Sequence, residues 1–353
     1  MIKKLEIHTP FIKYSPCYGA AFSIIDITKD NLAWFFNNFS YFFIQKDNSK
    51  INNEWISAEL NAFDFRQNGF SSYHNYWGIK TQIISRDFFF KYFGDIISFC
   101  KDMILNENYI FMFINAKYIK EYNISADYVH PIFISGFDDE KKVFYASDYF
   151  SYIYKTVSVP FGELKDGFFY AKEEYFLHED YLHGITLYQK GSYRNQEYSS
   201  QERTENAIFE SISWAINPTN FKGQLIPSLY QVFGGIYAQR CLCQYLYNKT
   251  RSLLCESQHK LLAILVEHKK VMNLGIDYLA KNSRISNKNK EEFCKIYEKY
   301  RQLLFRYLYI RQKYGGDNSQ NLISEKPYDL IVKLDELTRC EEMFYMEIIK
   351  CQN

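Results

Sequence analysis

The chain has 353 residues, 47% of them hydrophobic, enough to bury a sizeable core in one large domain or two ordinary ones. Its 42 basic and 41 acidic residues leave a formal charge of +1, which removes the electrostatic case for nucleic acid or an anionic membrane as partner. The opening residues Met1-Ile2-Lys3-Lys4-Leu5-Glu6 lack the apolar core of a signal peptide, and no run reaches the ~18 apolar residues of a membrane span, so a cytoplasmic protein is expected.

The first half mixes helices with short β-branched and aromatic runs. Ser15-Pro16 precedes the small-residue segment Cys17-Tyr18-Gly19-Ala20-Ala21, a pattern that starts a helix at the cysteine. Helices are expected over 29–45 and 85–105, the second with Phe89, Phe93, Ile96, Ile97 and Cys100 on one apolar stripe. A strand follows over 109–115, then a hairpin of two strands, 130–137 and 142–148, around the polar turn Asp138-Asp139-Glu140-Lys141. Residues 156–160 extend the sheet, a short helix spans 161–167, and a last strand runs over 184–189. The polar stretch 191–203 has linker composition and separates a first domain, 1–190, from a second, 204–353.

The second domain reads as helical throughout. Thr204 is the expected cap of a helix over 205–216, which Asn217-Pro218 ends. Further helices are expected over 226–248, 257–282, 288–314 with Gly315-Gly316 as its stop, and 327–350 with Ser324 as its cap. The fold class expected is α+β, an antiparallel sheet with helices followed by an all-helical region.

Eight cysteines form no CxxC pair, and Cys241-Leu242-Cys243 has no further ligand pair at zinc spacing, so no metal site and no cofactor are expected. Cys17 is different, because a thiolate forms most readily at a helix N-terminus beside a cationic imidazole. Cys100 lies on the buried stripe of its helix and reads as core. Of seven histidines, His130 starts a strand whose hairpin partner can be counted. With the turn centred near Asp139, His130 faces Asp148, and opposed residues share a face at ~5 Å between Cβ atoms. Cys17, His130 and Asp148 thus compose a nucleophile, a base and the group that orients the base. The plainer alternative is a packed cysteine, a strand-end histidine bonded to a backbone carbonyl, and an aspartate ending a strand.

The segments Cys17-Tyr18-Gly19-Ala20-Ala21 and His130-Pro131-Ile132-Phe133-Ile134-Ser135-Gly136-Phe137-Asp138-Asp139, with Asp148 beyond, resemble the butirosin biosynthesis protein H-like family. The segment from Leu265 to Met272 is similar to the helical second part of such proteins. The resemblance implies a papain-like fold related to bacteriocin-processing cysteine peptidases, with Cys17 accepting an acyl chain, His130 shuttling protons and Asp148 orienting His130. It further implies transfer rather than proteolysis: an acyl or peptidyl carrier protein presents the chain as a phosphopantetheine thioester, and an amine co-substrate receives it as an amide. Butirosin assembly and thiotemplated non-ribosomal peptide assembly such as that of closthioamide are such settings.

Papain-like peptidases place a glutamine shortly before the cysteine as an oxyanion donor, whereas Phe11, Ile12, Lys13, Tyr14, Ser15 and Pro16 stand here. Losing one donor costs ~3–4 kcal/mol of transition-state stabilisation, which an activated thioester tolerates better than an amide. Backbone amides at Cys17 or Tyr18, or the Tyr14 hydroxyl, are the candidate replacements. Two other functions fit the same residues. One is a cysteine peptidase or thioesterase with this triad; the other is a non-catalytic scaffold that binds carrier protein, for which His268-Lys269-Lys270 and the basic stretch from Arg301 to Arg311 are candidate acid-binding runs.

Overall fold

The computed structural model describes residues 1–47, 55–60, 78–150, 153–172, 184–191, 200–217, 230–248, 256–314 and 326–352. The elements in chain order are β1 (Ile2–Lys4), α1 (Pro16–Ile24), α2 (Leu32–Phe39), β2 (Phe43–Asp47), β3 (Trp55–Glu59), β4 (Ile79–Ile84), α3 (Arg86–Tyr92) and α4 (Ile96–Leu105). Then follow β5 (Tyr109–Asn115), two 3₁₀ turns (Ala116–Tyr118 and Lys120–Tyr122), β6 (Val129–Asp138), β7 (Val143–Phe150), β8 (Ile153–Pro160), α5 (Phe161–Phe169) and β9 (Ile185–Lys190). The remainder is α6 (Gln201–Ile216), β10 (Tyr230–Gly234), α7 (Gly235–Asn248), α8 (Glu256–Lys281), α9 (Asn287–Tyr314) and α10 (Lys326–Gln352). Helices and antiparallel sheet together make the chain α+β.

The chain divides into two compact units, Met1–Ile27 with Ser72–Arg194, and Thr28–Ser71 with Asn195–Asn353. Sequence composition pointed to one cut, at the polar stretch 191–203. The division instead moves 28–71 into the unit of the C-terminal helices, because the aromatic face of α2 packs on α6 and β2 pairs with β10.

In the first unit the sheet order is β4-β9-β5-β6-β7-β8, all antiparallel, with β1 beside the far end of β6. Its middle strands are apolar on both faces: Ile110, Met112, Ile114, Ile132, Phe133 and Ile134 are buried. The expected helix over 85–105 is two helices. Gly94 takes φ +71°, and the Asp95 side chain accepts from Ile97 N–H at 3.1 Å to start α4. That break leaves Phe93 exposed, while Phe89, Ile96 and Cys100 are buried.

The hairpin of β6 and β7 carries an irregularity with a large consequence. Asp138 pairs with Val143, and the ladder runs to Gly136 opposite Tyr145, but then Ile134 pairs with Ala146, leaving Ser135 as an extra residue. The Ser135 carbonyl accepts from Leu5 N–H at 2.8 Å, so β1 satisfies the bulge from outside the hairpin. Gly136 allows β1 to come that close, since a Cβ there would lie 2.6 Å from Lys3 O. Gly136→Ala therefore pushes β1 off β6 and lowers stability by about 1–3 kcal/mol, read from the urea midpoint. An unchanged midpoint would mean that β1 contributes nothing to the fold.

The second unit is not purely helical, contrary to expectation. Its strands form a sheet of order β10-β2-β3. The expected helix over 29–45 ends at Ser40, whose N–H bonds Phe36 O; the aromatic and β-branched run Tyr41-Phe42-Phe43-Ile44 then feeds β2, paired with β10. The expected helix over 226–248 is strand β10 and helix α7, and its first residues lie outside those described. Gly235, at φ +58°, makes the switch, and a Cβ there would sit 2.2 Å from Ala215 O. Ser200, not Thr204, caps α6, its Oγ accepting from Arg203 N–H at 3.2 Å. The expected signals at Gly315-Gly316 and Ser324 lie outside the described residues.

Within this unit α8 lies against α2 and α6 on one side and α9 on the other, so adjacent residues of α8 are both interior. His268 and Lys269, expected as part of a basic surface run, are 1% and 0% exposed. Lys269 Nζ lies 2.7 Å from Glu341 Oε1 and donates to His268 Nδ1 at 3.1 Å, while His268 Nε2–H donates to Ser40 O at 3.0 Å. Tyr300 donates to Glu341 Oε2 at 2.9 Å. Burial, then the Lys269 charge, holds the His268 pKa well below its usual range, so the imidazole is neutral. Neither side chain is available to an acidic partner.

Among the described residues no helix is long and apolar enough to cross a membrane.

Candidate functional site

The site lies within the first unit. Pro16 fixes the first helical φ of α1, and Cys17 is the second residue of the helix. Gly19 N–H donates to Ser15 O at 2.9 Å in the first turn of α1, and Cys17 and Tyr18 lie in that same turn, at the positive end of the helix dipole. No acidic residue occupies that first turn to offset the dipole. The thiol is half-buried, whereas Tyr18 through Ile24 are buried against β6 and β7. Tyr149 on β7 donates to Lys13 O, which ties the segment before the cysteine to the strand that carries Asp148.

His130 and Asp148 meet. His130 Nε2 lies 2.9 Å from Asp148 Oδ2, with the carboxylate fully buried. They are diagonal rather than opposed, because the turn is longer than counted and the bulge adds one residue. With Phe133 opposite Ser147, Ile132 comes opposite Asp148, and His130 lies two residues along on the same face. Diagonal neighbours lie ~7–8 Å apart at the backbone, within reach of an imidazole. Engaging Nε2 with the carboxylate leaves Nδ1 as the ring nitrogen that can exchange a proton with a thiol or an amine.

Two tyrosines that sequence reasoning missed complete the pocket around the imidazole. Tyr128 stacks on the ring at 5.3 Å and 23°, and Tyr122 meets it edge-on at 5.7 Å and 84°. The Tyr122 hydroxyl donates to the same Asp148 Oδ2 that His130 uses. Both tyrosines lie on or beside the excursion between β5 and β6, which Asn115 closes with four hydrogen bonds of its side-chain amide. Its Nδ2 donates to Asp127 Oδ1 at 2.8 Å and Tyr170 O at 3.2 Å, and its Oδ1 accepts from Lys117 N–H at 3.2 Å and Tyr128 N–H at 3.3 Å. A buried Asn at a strand end, with Asp127 twelve residues on, was the signal available for this staple.

Tyr154 lies on β8; burial is the main cause that pushes its pKa up, and the Asp148 charge adds to it. Its ring needs Gly19, because a Cβ at that position would come within 2.4 Å of Tyr154 Cε2. The remaining candidates, Tyr14 and Tyr18, pack their rings together at 5.0 Å, with Tyr18 buried. Cys100, read as core, is buried, and desolvation raises its thiol pKa far above the usual range.

Chemically, the arrangement offers a half-buried cysteine at a helix N-terminus and, on the neighbouring strands, an imidazole held at 2.9 Å by a buried carboxylate. Among the described residues no group of three His, Cys, Asp or Glu is arranged to hold a metal ion. No protein-family model matches the chain, and no curated protein matches it.

Proposed function

We propose that the chain is a cysteine-dependent acyltransferase of papain-like design that joins an acyl or peptidyl chain from a carrier-protein thioester to an amine. The reading rests on one observation: a buried Asp148 bonded at 2.9 Å to His130, on the two strands over which the Cys17 helix packs. The Cys17 thiolate attacks the thioester carbonyl, and the C–S bond to the phosphopantetheine thiol breaks as that sulfur takes the proton held on His130. The amine then attacks the Cys17 acyl-enzyme, loses its proton to His130, and expels the Cys17 thiolate as the amide forms. The oxyanion of each tetrahedral intermediate would fall to the amides of Cys17 and Tyr18 at the N-terminal turn of α1, or to the Tyr14 hydroxyl.

The test is direct. Incubation with an acyl-pantetheine or acyl-carrier thioester gives an intact mass increased by one acyl group, mapped to Cys17 and absent in Cys17→Ala. Adding an amine discharges the adduct as amide. No adduct in the parent protein over a panel of acyl chains would overturn the reading, and discharge to free acid irrespective of amine would replace transferase by hydrolase.

A further inference from the structure

Asp148 is a carboxylate that water does not reach, and its Oδ1 makes no hydrogen bond to a described residue. Its charge is therefore held through Oδ2, by His130 Nε2 and by the Tyr122 hydroxyl. We propose that Tyr122 is a positioning residue of the acyl-transfer site: its hydroxyl holds the Asp148 carboxylate against His130 and lowers the proton affinity of the His130–Asp148 pair. The proposal rests on reading that pair as the site's base.

The asymmetry follows from counting donors. When the imidazole is neutral, the buried carboxylate has two neutral donors, Tyr122 and His130. When the imidazole is protonated, it has a full counter-charge as well. Losing the Tyr122 donor costs the unprotonated pair more, because an under-solvated carboxylate has less left to hold it. The pair then binds a proton more readily, whichever of its atoms carries it. Burial and the Asp148 charge keep the Tyr122 proton on oxygen well above the ordinary phenol range, so the donor is present throughout neutral pH.

The other groups around the pair are Tyr128 stacked on His130, and Tyr154 and the exposed Lys155 on β8. Tyr122→Phe leaves all of them in place, and Phe keeps the edge-on ring contact with His130 and the packing on Phe150 at 4.7 Å.

In full-length protein carrying Tyr122→Phe, the pH midpoint of the His130 Cε1–H resonance should move up by about 0.5–1 unit, a three- to tenfold gain in proton affinity. The acid limb of kcat/KM should move with it, and Cys17→Ser should leave the resonance shift intact. If Tyr122→Phe does not fold, 3-fluorotyrosine at position 122, a stronger donor of nearly the same size, should move the midpoint down. A midpoint that stays put or moves the opposite way in the variant studied overturns the role given to Tyr122. Because the titration needs no substrate, a shifted midpoint without any acyl adduct would retain Tyr122 and sink the transferase reading. An adduct with an unmoved midpoint would do the reverse.

Discussion

Asp148→Asn lowers the rate of amide formation about 10³-fold while leaving the fold as stable as the parent. The amide retains an oxygen for Tyr122 and His130, so the pocket keeps its shape. It cannot stabilise the imidazolium that forms when His130 takes a proton, and nothing then fixes which ring nitrogen carries hydrogen. The parent carboxylate is buried with Oδ1 unbonded among the described residues, a desolvation cost that the neutral amide relieves. Single-turnover transfer from pre-acylated enzyme, beside a urea unfolding curve, separates the two effects. A rate loss below tenfold would show that the charge of Asp148 is not what His130 draws on, and a large drop in stability would show that the residue serves the fold first.

Glu341→Gln should cost about 3–5 kcal/mol of stability, because it strips the counter-charge from a lysine with no exposed surface. Burial already pushes Lys269 from its ordinary 10.5 down to about 8 despite the Glu341 carboxylate. The unfolded chain holds that proton up to about 10.5 and the folded chain releases it near 8, so between these values the unfolded state binds more protons and the contribution to stability rises with pH. In Glu341→Gln the window opens lower, so the loss is deepest in mildly acidic buffer and shrinks toward alkaline pH. The double change Lys269→Met with Glu341→Leu should recover most of the loss, since apolar replacements of matching volume remove both desolvation costs. Unfolding midpoints across pH for the single and double variants measure this. A single variant that loses under 1 kcal/mol would mean the ammonium finds other solvation.

Much of the first unit was legible because its signals are local. The strand over Tyr109–Asn115 reads directly from its apolar run, and Pro16 announces the start of α1 one residue before Cys17. His130 and Asp148 could be placed on one face from hairpin counting, yet their diagonal offset could not, because the bulge at Ser135 is satisfied by β1, more than a hundred residues earlier in sequence. Tyr122 escaped notice for a similar reason: it ends the short 3₁₀ turn Lys120–Tyr122, whose Lys120 N–H donates to Glu163 Oε2 at 3.1 Å, and no periodicity marks such a turn. In the second unit, β2 and β10 lie far apart in sequence, so neither run carries a local sign of its pairing partner and each reads as a continuation of the adjoining helix. His268 and Lys269 looked like a surface run because adjacent charges on a helix usually face water; here helices flank α8 on two sides.

The extra residue at Ser135 also decides a matter of parity. Counted from Asp138 opposite Val143, an unbroken ladder would bring Phe133 opposite Asp148 and send His130 to the reverse side of the sheet. Odd and even are therefore not interchangeable along these strands. Residues added between Asp138 and Val143 only lengthen a loop, whereas one added to β6 or β7 on the way to the dyad turns acid and base away from each other unless a second dislocation absorbs it. Distant relatives of this chain should vary freely in that loop and keep their strand lengths in step, so the number of residues separating the histidine from the aspartate is a poor guide to which proteins share the site.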